Sequence, residues 1–252
     1  MMNKINVSAV SYLNTKPFLY ELEKSAILRE INLSKKIPAK VAEDLITGHA
    51  TIGLVPVAAI PSITNANIIT DYGIGSNGEV SSVCIYSQVP IASVETLYLD
   101  YQSRTSLELA RILLRDYWKL NPELKAAQPG YEFLINDTVA GLIIGDRSLT
   151  MKSQFRYCYD LGKAWKEHTG LPFIFACWVT NKILPANFIA SFESALQSGI
   201  ENIATIVKMN QPAFEGIDID DYLNNKVKFR LTEEMKSGME LFFESIKQPV
   251  TI

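Results

Sequence analysis

Strand-like and helix-like stretches alternate through the first sixty residues, and this alternation restricts the possible folds more than any other feature of the chain. Ile5–Val10 alternates in the manner of a strand and runs into Ser11-Tyr12-Leu13-Asn14-Thr15-Lys16-Pro17. A proline is tolerated only in the first turn of a helix, so Asn14 or Thr15 is the expected cap and Phe18–Leu22 a short helix. Ile31, Leu33, Lys35 and Ile37 mark a second strand. Pro38 opens a helix through Val41, Leu45 and Ile46 that Gly48 closes, and Thr51–Val57 reads as a third strand. Strand, helix, strand, helix, strand predicts an open α/β sheet with helices on its faces. Such sheets take ligands beyond the carboxyl ends of their strands, which points to Tyr12–Thr15 and to Pro56.

The middle of the chain repeats the pattern. Asn67–Asp71 and Val80–Tyr86 read as strands around a glycine-rich turn, Gly73–Gly78; no Lys-Ser or Lys-Thr follows it, as a phosphate loop would require. Leu97–Leu99 is a buried strand, and Lys119–Gly130 a polar connector. Tyr131–Ile135 and Ala140–Ile144 are predicted strands, the second ending in Gly145-Asp146. Leu161–Thr169 is a helix closed by Gly170, and Pro172–Val179 an apolar strand. A second alternating region implies a second lobe. The expected division is residues 1–87 with 180–252 against residues 88–179, with chain crossings near Ser87–Pro90 and Val179–Asn181. In the tail, Asn187–Lys208 is a long amphipathic helix and Val227–Leu231 a strand. Thr232 caps a last helix that turns Met235, Met239, Phe242 and Ile246 inward.

Within the second lobe, Leu97–Trp118 holds the densest group of hydrogen-bond donors. A polar turn, Asp100–Gln102, leads to Ser103-Arg104-Thr105-Ser106, after which Leu107, Ala110, Leu113, Leu114 and Tyr117 recur at helical spacing. A helix start carries unpaired N–H groups and partial positive charge. Three hydroxyls and a guanidinium add to these, and no Asp or Glu lies between Tyr101 and Leu107. The segment can seat a carboxylate or phosphate; Ser103 and Ser106 can equally serve as ordinary helix caps.

Other chemistries are poorly represented. A net charge of −3 offers no broad basic field, which argues against nucleic acid as a partner and leaves anion binding to local groups. Cys84, Cys158 and Cys177 share no metal-like spacing and sit in apolar or aromatic runs, as reduced thiols do. With two histidines in the chain, a zinc site is not expected, and His49 and His168 both sit in polar surroundings that predict solvent exposure. There is no nucleophile elbow, phosphate loop or dinucleotide fingerprint, so neither metal nor cofactor is expected. Lys4 precedes a run too short and polar for a signal-peptide core, and no later run approaches a membrane span; a cytoplasmic protein without a membrane partner is the expectation.

Six blocks in order resemble the chorismate dehydratases of the futalosine route to menaquinone. They are Val10-Ser11-Tyr12-Leu13-Asn14-Thr15-Lys16-Pro17, Ile52-Gly53-Leu54-Val55-Pro56-Val57-Ala58-Ala59-Ile60-Pro61 and Gly78-Glu79-Val80-Ser81-Ser82-Val83. Leu99-Asp100 with Ser103-Arg104-Thr105-Ser106, then Ile144-Gly145-Asp146, and Thr169-Gly170-Leu171-Pro172-Phe173 through Trp178 complete the set. His49 and Arg147 depart from the family's residue types. The resemblance implies the two-lobed α/β fold of type II periplasmic binding proteins, with the ligand cleft between the lobes. It also implies loss of water from chorismate, a small dianionic partner. On that basis Ser103, Arg104, Thr105 and Ser106 are expected to hold one carboxylate, and Ser81, Ser82, Asn14 and Thr15 the other groups. The expected proton acceptor is the substrate's enolpyruvyl carboxylate, positioned by Asn14. Asp146 is the alternative base, and Tyr12 would stack on the ring or assist hydroxyl departure. Two rivals stand beside this reading: the sister enzyme of the same pathway, a 1,4-dihydroxy-6-naphthoate synthase expected to use a histidine base, and a non-catalytic cytosolic solute-binding or sensor protein.

Overall fold

The computed structural model describes residues 4–247, in which eleven strands form two sheets. In chain order they are β1 (Ile5–Val10), β2 (Ile31–Lys36), β3 (Ile52–Pro56), β4 (Asn67–Ser76), β5 (Val83–Ser87), β6 (Thr96–Leu99), β7 (Glu123–Ala126), β8 (Val139–Ile144), β9 (Tyr157–Asp160), β10 (Phe173–Thr180) and β11 (Lys228–Arg230). The strand orders are β11-β4-β10-β3-β1-β2 and β7-β6-β8-β5-β9. The chain divides into one unit ending at Gly75 and resuming over Ile174–Thr232, and a second comprising Ser76–Phe173 with the helix Glu233–Lys247.

In the first unit the expected strand–helix alternation is present. β1 pairs in parallel with β2 from Ile5↔Ile31 to Val10↔Lys36, and with β3 through Val7↔Ile52. All five residues of β3 are buried, as befits a central strand covered on both faces. Pro17 lies in the first turn of the helix Lys16–Leu22, which buries Phe18 edge-on against Trp178 and Phe229 at centroid separations of 5.9 and 5.4 Å. Two expectations fail here. The chain does not turn at Gly73: β4 runs straight through it, because a Cβ there would meet the Ala176 carbonyl oxygen at 2.5 Å and only glycine lets the backbones approach. The predicted helix Asn187–Lys208 is broken at Asn202 into Ala186–Glu201 and Ile203–Asn210.

In the second unit β6 runs parallel to β7 and β8, while β5 is antiparallel to both β8 and β9. β7 lies inside the segment read as a polar connector; its four residues are exposed at the sheet edge, so no apolar alternation marks it. β9 also escaped the sequence reading. Tyr131–Leu134 is a 3-10 turn rather than a strand, because the Tyr131 hydroxyl reaches inward to Asp100 and to the Leu142 carbonyl. The final helix belongs to this unit and not with the N-terminal segment: Phe242 packs edge-on against Phe173 and Trp165 at 5.0 and 6.1 Å. The boundaries accordingly fall at 75/76, 173/174 and 232/233, instead of the 87/88 and 179/180 expected from periodicity. Met235 and Met239 are buried as read, and Cys84 and Cys177 likewise, while Cys158 is half-buried.

Candidate functional site

The strand directions of the second unit gather its polar residues. With β6 and β8 parallel and β5 antiparallel to its neighbours, the carboxyl ends of β6, β8 and β9 share one sheet end with the start of β5. Ser81 and Ser82 precede β5, Ser103 to Ser106 follow β6, and Asp146 follows β8, so seven of the ten candidate residues meet at this end. Ser103 Oγ accepts from Ser106 N at 3.1 Å and donates to Ser106 Oγ at 3.0 Å, which makes Ser103 the cap of the helix Arg104–Ile112. No acidic residue lies in the first turn of that helix. Ser103, Thr105 and Ser106 are buried and Arg104 is exposed.

Two carboxylates that the sequence reading passed over organise this end. Asp100, fully buried after β6, accepts from Gln102 N at 2.9 Å, Tyr131 Oη at 3.0 Å, Ile144 N at 3.1 Å and Arg147 Nη2 at 2.6 Å. Burial pushes its carboxyl above the usual carboxylate range, against the pull of Arg147 and the backbone N–H donors. Arg147 also pairs with Glu132, so its guanidinium is engaged by two protein carboxylates and acts as a strut. Asp160, at the end of β9, caps the helix Leu161–Thr169 by accepting from Lys163 N at 2.9 Å. It also accepts from Val80 N at 3.0 Å and Ser81 N at 2.6 Å. Those bonds hold Ser81 at φ +62°, a left-handed conformation that a serine seldom adopts unaided. The Ser81 hydroxyl donates to Glu79 at 2.8 Å. Burial raises the Asp160 carboxyl as well, opposed by its three N–H donors. An aspartate directly before Leu161 was a readable cap signal; its bonds to residues 79 and 80 positions away were not.

Tyr12, Asn14 and Thr15 lie in the first unit, directly beyond the carboxyl end of β1. Leu13–Thr15 forms a single 3-10 turn closed by Thr15 N donating to Tyr12 O at 3.0 Å. Thr15 is fully buried and its hydroxyl donates to Asn14 Oδ1 at 3.2 Å, which orients the amide; Tyr12 and Asn14 are half-buried. His49 precedes β3 and so lies at the opposite sheet end from Asn14, exposed, with Nδ1 2.7 Å from Thr47 Oγ1. His168 occupies the last turn of the helix that Asp160 starts, exposed beside the Tyr117 ring at 5.6 Å. Among the described residues no group of three or more His, Cys, Asp or Glu side chains could hold a metal, and no helix is long and apolar enough to cross a membrane.

Known proteins resemble this chain along nearly its whole length. Chorismate dehydratase of Thermus thermophilus is 21% identical over 260 residues, covering 94% of this chain and 93% of that one. Chorismate dehydratase of Campylobacter jejuni is 24% identical over 249 residues, covering 94% and 96%. Among solved structures, protein AF1704 from Archaeoglobus fulgidus superposes with a TM-score of 0.74 at 14% identity, covering 96% of each chain. The Candida albicans CA3427 gene product, described as having the generic periplasmic binding protein fold, gives 0.59 at 10% identity, covering 97% and 94%. These likenesses establish the periplasmic-binding-protein-like α/β fold. The model of a menaquinone-biosynthesis family matches residues 5–248, and the chain belongs to that family.

Proposed function

We propose that this protein is a chorismate dehydratase, a carbon–oxygen lyase that removes water from chorismate to leave 3-(1-carboxyvinyloxy)benzoate. The observation that carries the reading is the concentration of hydroxyl and N–H donors, with the exposed Arg104, at one end of the five-stranded sheet. Chorismate presents two carboxylates to such donors. Each helix-start contact contributes about 0.3–1 kcal/mol when exposed and about 2 kcal/mol when partly buried, so several together both bind and orient.

In the reaction the C–H bond at the ether-bearing ring carbon breaks and its electron pair becomes a ring double bond. The neighbouring carbon loses hydroxide, which leaves with a proton as water, and aromatisation supplies the driving force. The departing proton is vinylogous to the ring carboxylate, so negative charge developing on its removal spreads there. Ser103, Arg104, Thr105 and Ser106 are assigned to that carboxylate, where preformed donors lower the barrier. Ser81, Ser82 and Thr15 are assigned to binding, Thr15 acting through the Asn14 amide that it orients. Asn14 positions the enolpyruvyl carboxylate of the substrate as the base, a role worth roughly 10²–10⁴-fold. Asp146 is the alternative base, and Tyr12 stacks on the ring or assists the hydroxyl. A naphthoate synthase with a histidine base is disfavoured, because both histidines are exposed and lie away from these strand ends. Three free cysteines accord with a reducing compartment, so the reaction is assigned to the cytoplasm. Mass spectrometry of chorismate incubated with the protein tests the reading. A product lighter by one water is expected; chorismate bound but recovered unchanged supports a sensor and refutes the enzyme.

A further inference from the structure

Asp100 sits between the two pieces of chain that carry most of the second unit's candidate contacts. Its Oδ1 receives Gln102 N, the residue before the Ser103 cap, and its Oδ2 receives Ile144 N, two residues before Asp146. Oδ2 also receives Arg147 Nη2 and the Tyr131 hydroxyl, whose single hydrogen is shared with the Leu142 carbonyl. A buried carboxylate needs such complete pairing, and the pairing leaves each donor little freedom. The guanidinium of Arg147 is in turn held by Glu132 and lies 5.4 Å from the centre of the Tyr101 ring. The turn from Asp100 to Ser103 therefore cannot shift against the Ile144–Arg147 turn without breaking buried, charge-assisted bonds.

We propose that Asp100 is a positioning residue for substrate binding: its carboxylate ties the Ser103–Ser106 helix start to the Gly145–Asp146 turn at the spacing chorismate needs. Asp100 touches no substrate atom; it acts through the groups it holds. The inference rests on the dehydratase reading and deepens it. It also separates the two guanidiniums at this sheet end, Arg147 serving as strut and Arg104 as substrate contact.

The test is steady-state turnover of chorismate by the full chain as wild type, Asp100→Asn and Tyr131→Phe, with thermal unfolding of each. Asn keeps the side chain's shape but replaces one acceptor oxygen by an NH2 group that faces N–H donors. Asp100→Asn is expected to raise KM roughly tenfold and to lower kcat as well, because the donors it displaces both seat the ring carboxylate and stabilise the charge that develops on it. Tyr131→Phe removes one of four donors and should raise KM about twofold. A cluster that only supports the fold would lower the unfolding temperature and leave KM unchanged. That outcome in folded Asp100→Asn overturns the proposal, as does a fall in kcat at constant KM. If Asp100→Asn does not fold, unchanged KM in Tyr131→Phe overturns it. Wild-type protein that leaves chorismate intact refutes the dehydratase reading and this role with it, whereas normal wild-type turnover with an indifferent Asp100→Asn refutes the role alone.

Discussion

Gly199→Ala is the perturbation whose consequences follow most directly from the packing. In an exposed helix this change stabilises by about 1 kcal/mol, since alanine is the better helix former. Here a Cβ at position 199 would lie 1.9 Å from the carbonyl oxygen of Pro17, a backbone atom that cannot rotate away. Real Cβ contacts essentially never fall below 3.0 Å, so the helices Lys16–Leu22 and Ala186–Glu201 must separate locally by about 1.1 Å. Overpacking of this kind costs about 1–3 kcal/mol, and a backbone obstruction belongs near the upper end. After the helix-propensity gain, a net loss of about 1–2 kcal/mol remains. Pro17 is three residues beyond Asn14 and separated from its 3-10 turn only by Lys16, so the displacement reaches the residue assigned to positioning the base. A misplacement of about 1 Å costs up to roughly 100-fold in rate. Urea unfolding should show a lower midpoint, and chorismate turnover a lower kcat. Gly238→Ala is the comparison: its Cβ would meet the Pro172 carbonyl at 2.2 Å, but its helix carries no candidate residue. It should lose stability with kcat little changed. A Gly199→Ala protein as stable and as active as wild type would refute the packing argument.

Three further outcomes are expected. Asn14→Ala should abolish turnover while chorismate binding stays measurable by calorimetry; near-normal turnover removes Asn14 from the mechanism. His49→Gln with His168→Gln should keep wild-type kcat, and a loss of 100-fold or more, on the scale of a general base, would restore the histidine-dependent alternative. Asp44 is buried between Lys36 Nζ at 2.7 Å and Ser8 Oγ at 2.8 Å; burial opposes its ionisation, but the bonds from Lys36 and Ser8 prevail and hold its carboxyl below the ordinary range. A depressed carboxyl stabilises the fold above its unfolded value and loses that contribution as pH falls through the folded one. Asp44→Asn should therefore be less stable than wild type at neutral pH, with the gap closing in acid. A gap that does not change with pH would contradict this.

What the sequence alone determined is the part of the molecule governed by neighbours along the chain. Apolar alternation places β1 and β3, and Pro17 starts a helix, because these signals act over a few residues. Ser103 could be identified as a cap since its partner, Ser106, is three positions away. Tyr12 to Thr15 could be placed beyond the end of β1, because that placement needs only strand order and direction. Tertiary structure decided the rest. Gly73 looks like a turn until the Ala176 carbonyl is packed against it, and Tyr131 looks like a strand residue until its hydroxyl finds Asp100, 31 positions away. The last helix joins the second unit through the rings of Trp165 and Phe173, which no local periodicity encodes. Asp100 and Asp160 read as ordinary turn acids, and their standing in the site comes from N–H donors 44 and 79 residues distant. The physical reason is common to all of these: the pairing of a buried polar group is set by what the fold brings within about 3 Å of it, and sequence separation bears no relation to that distance.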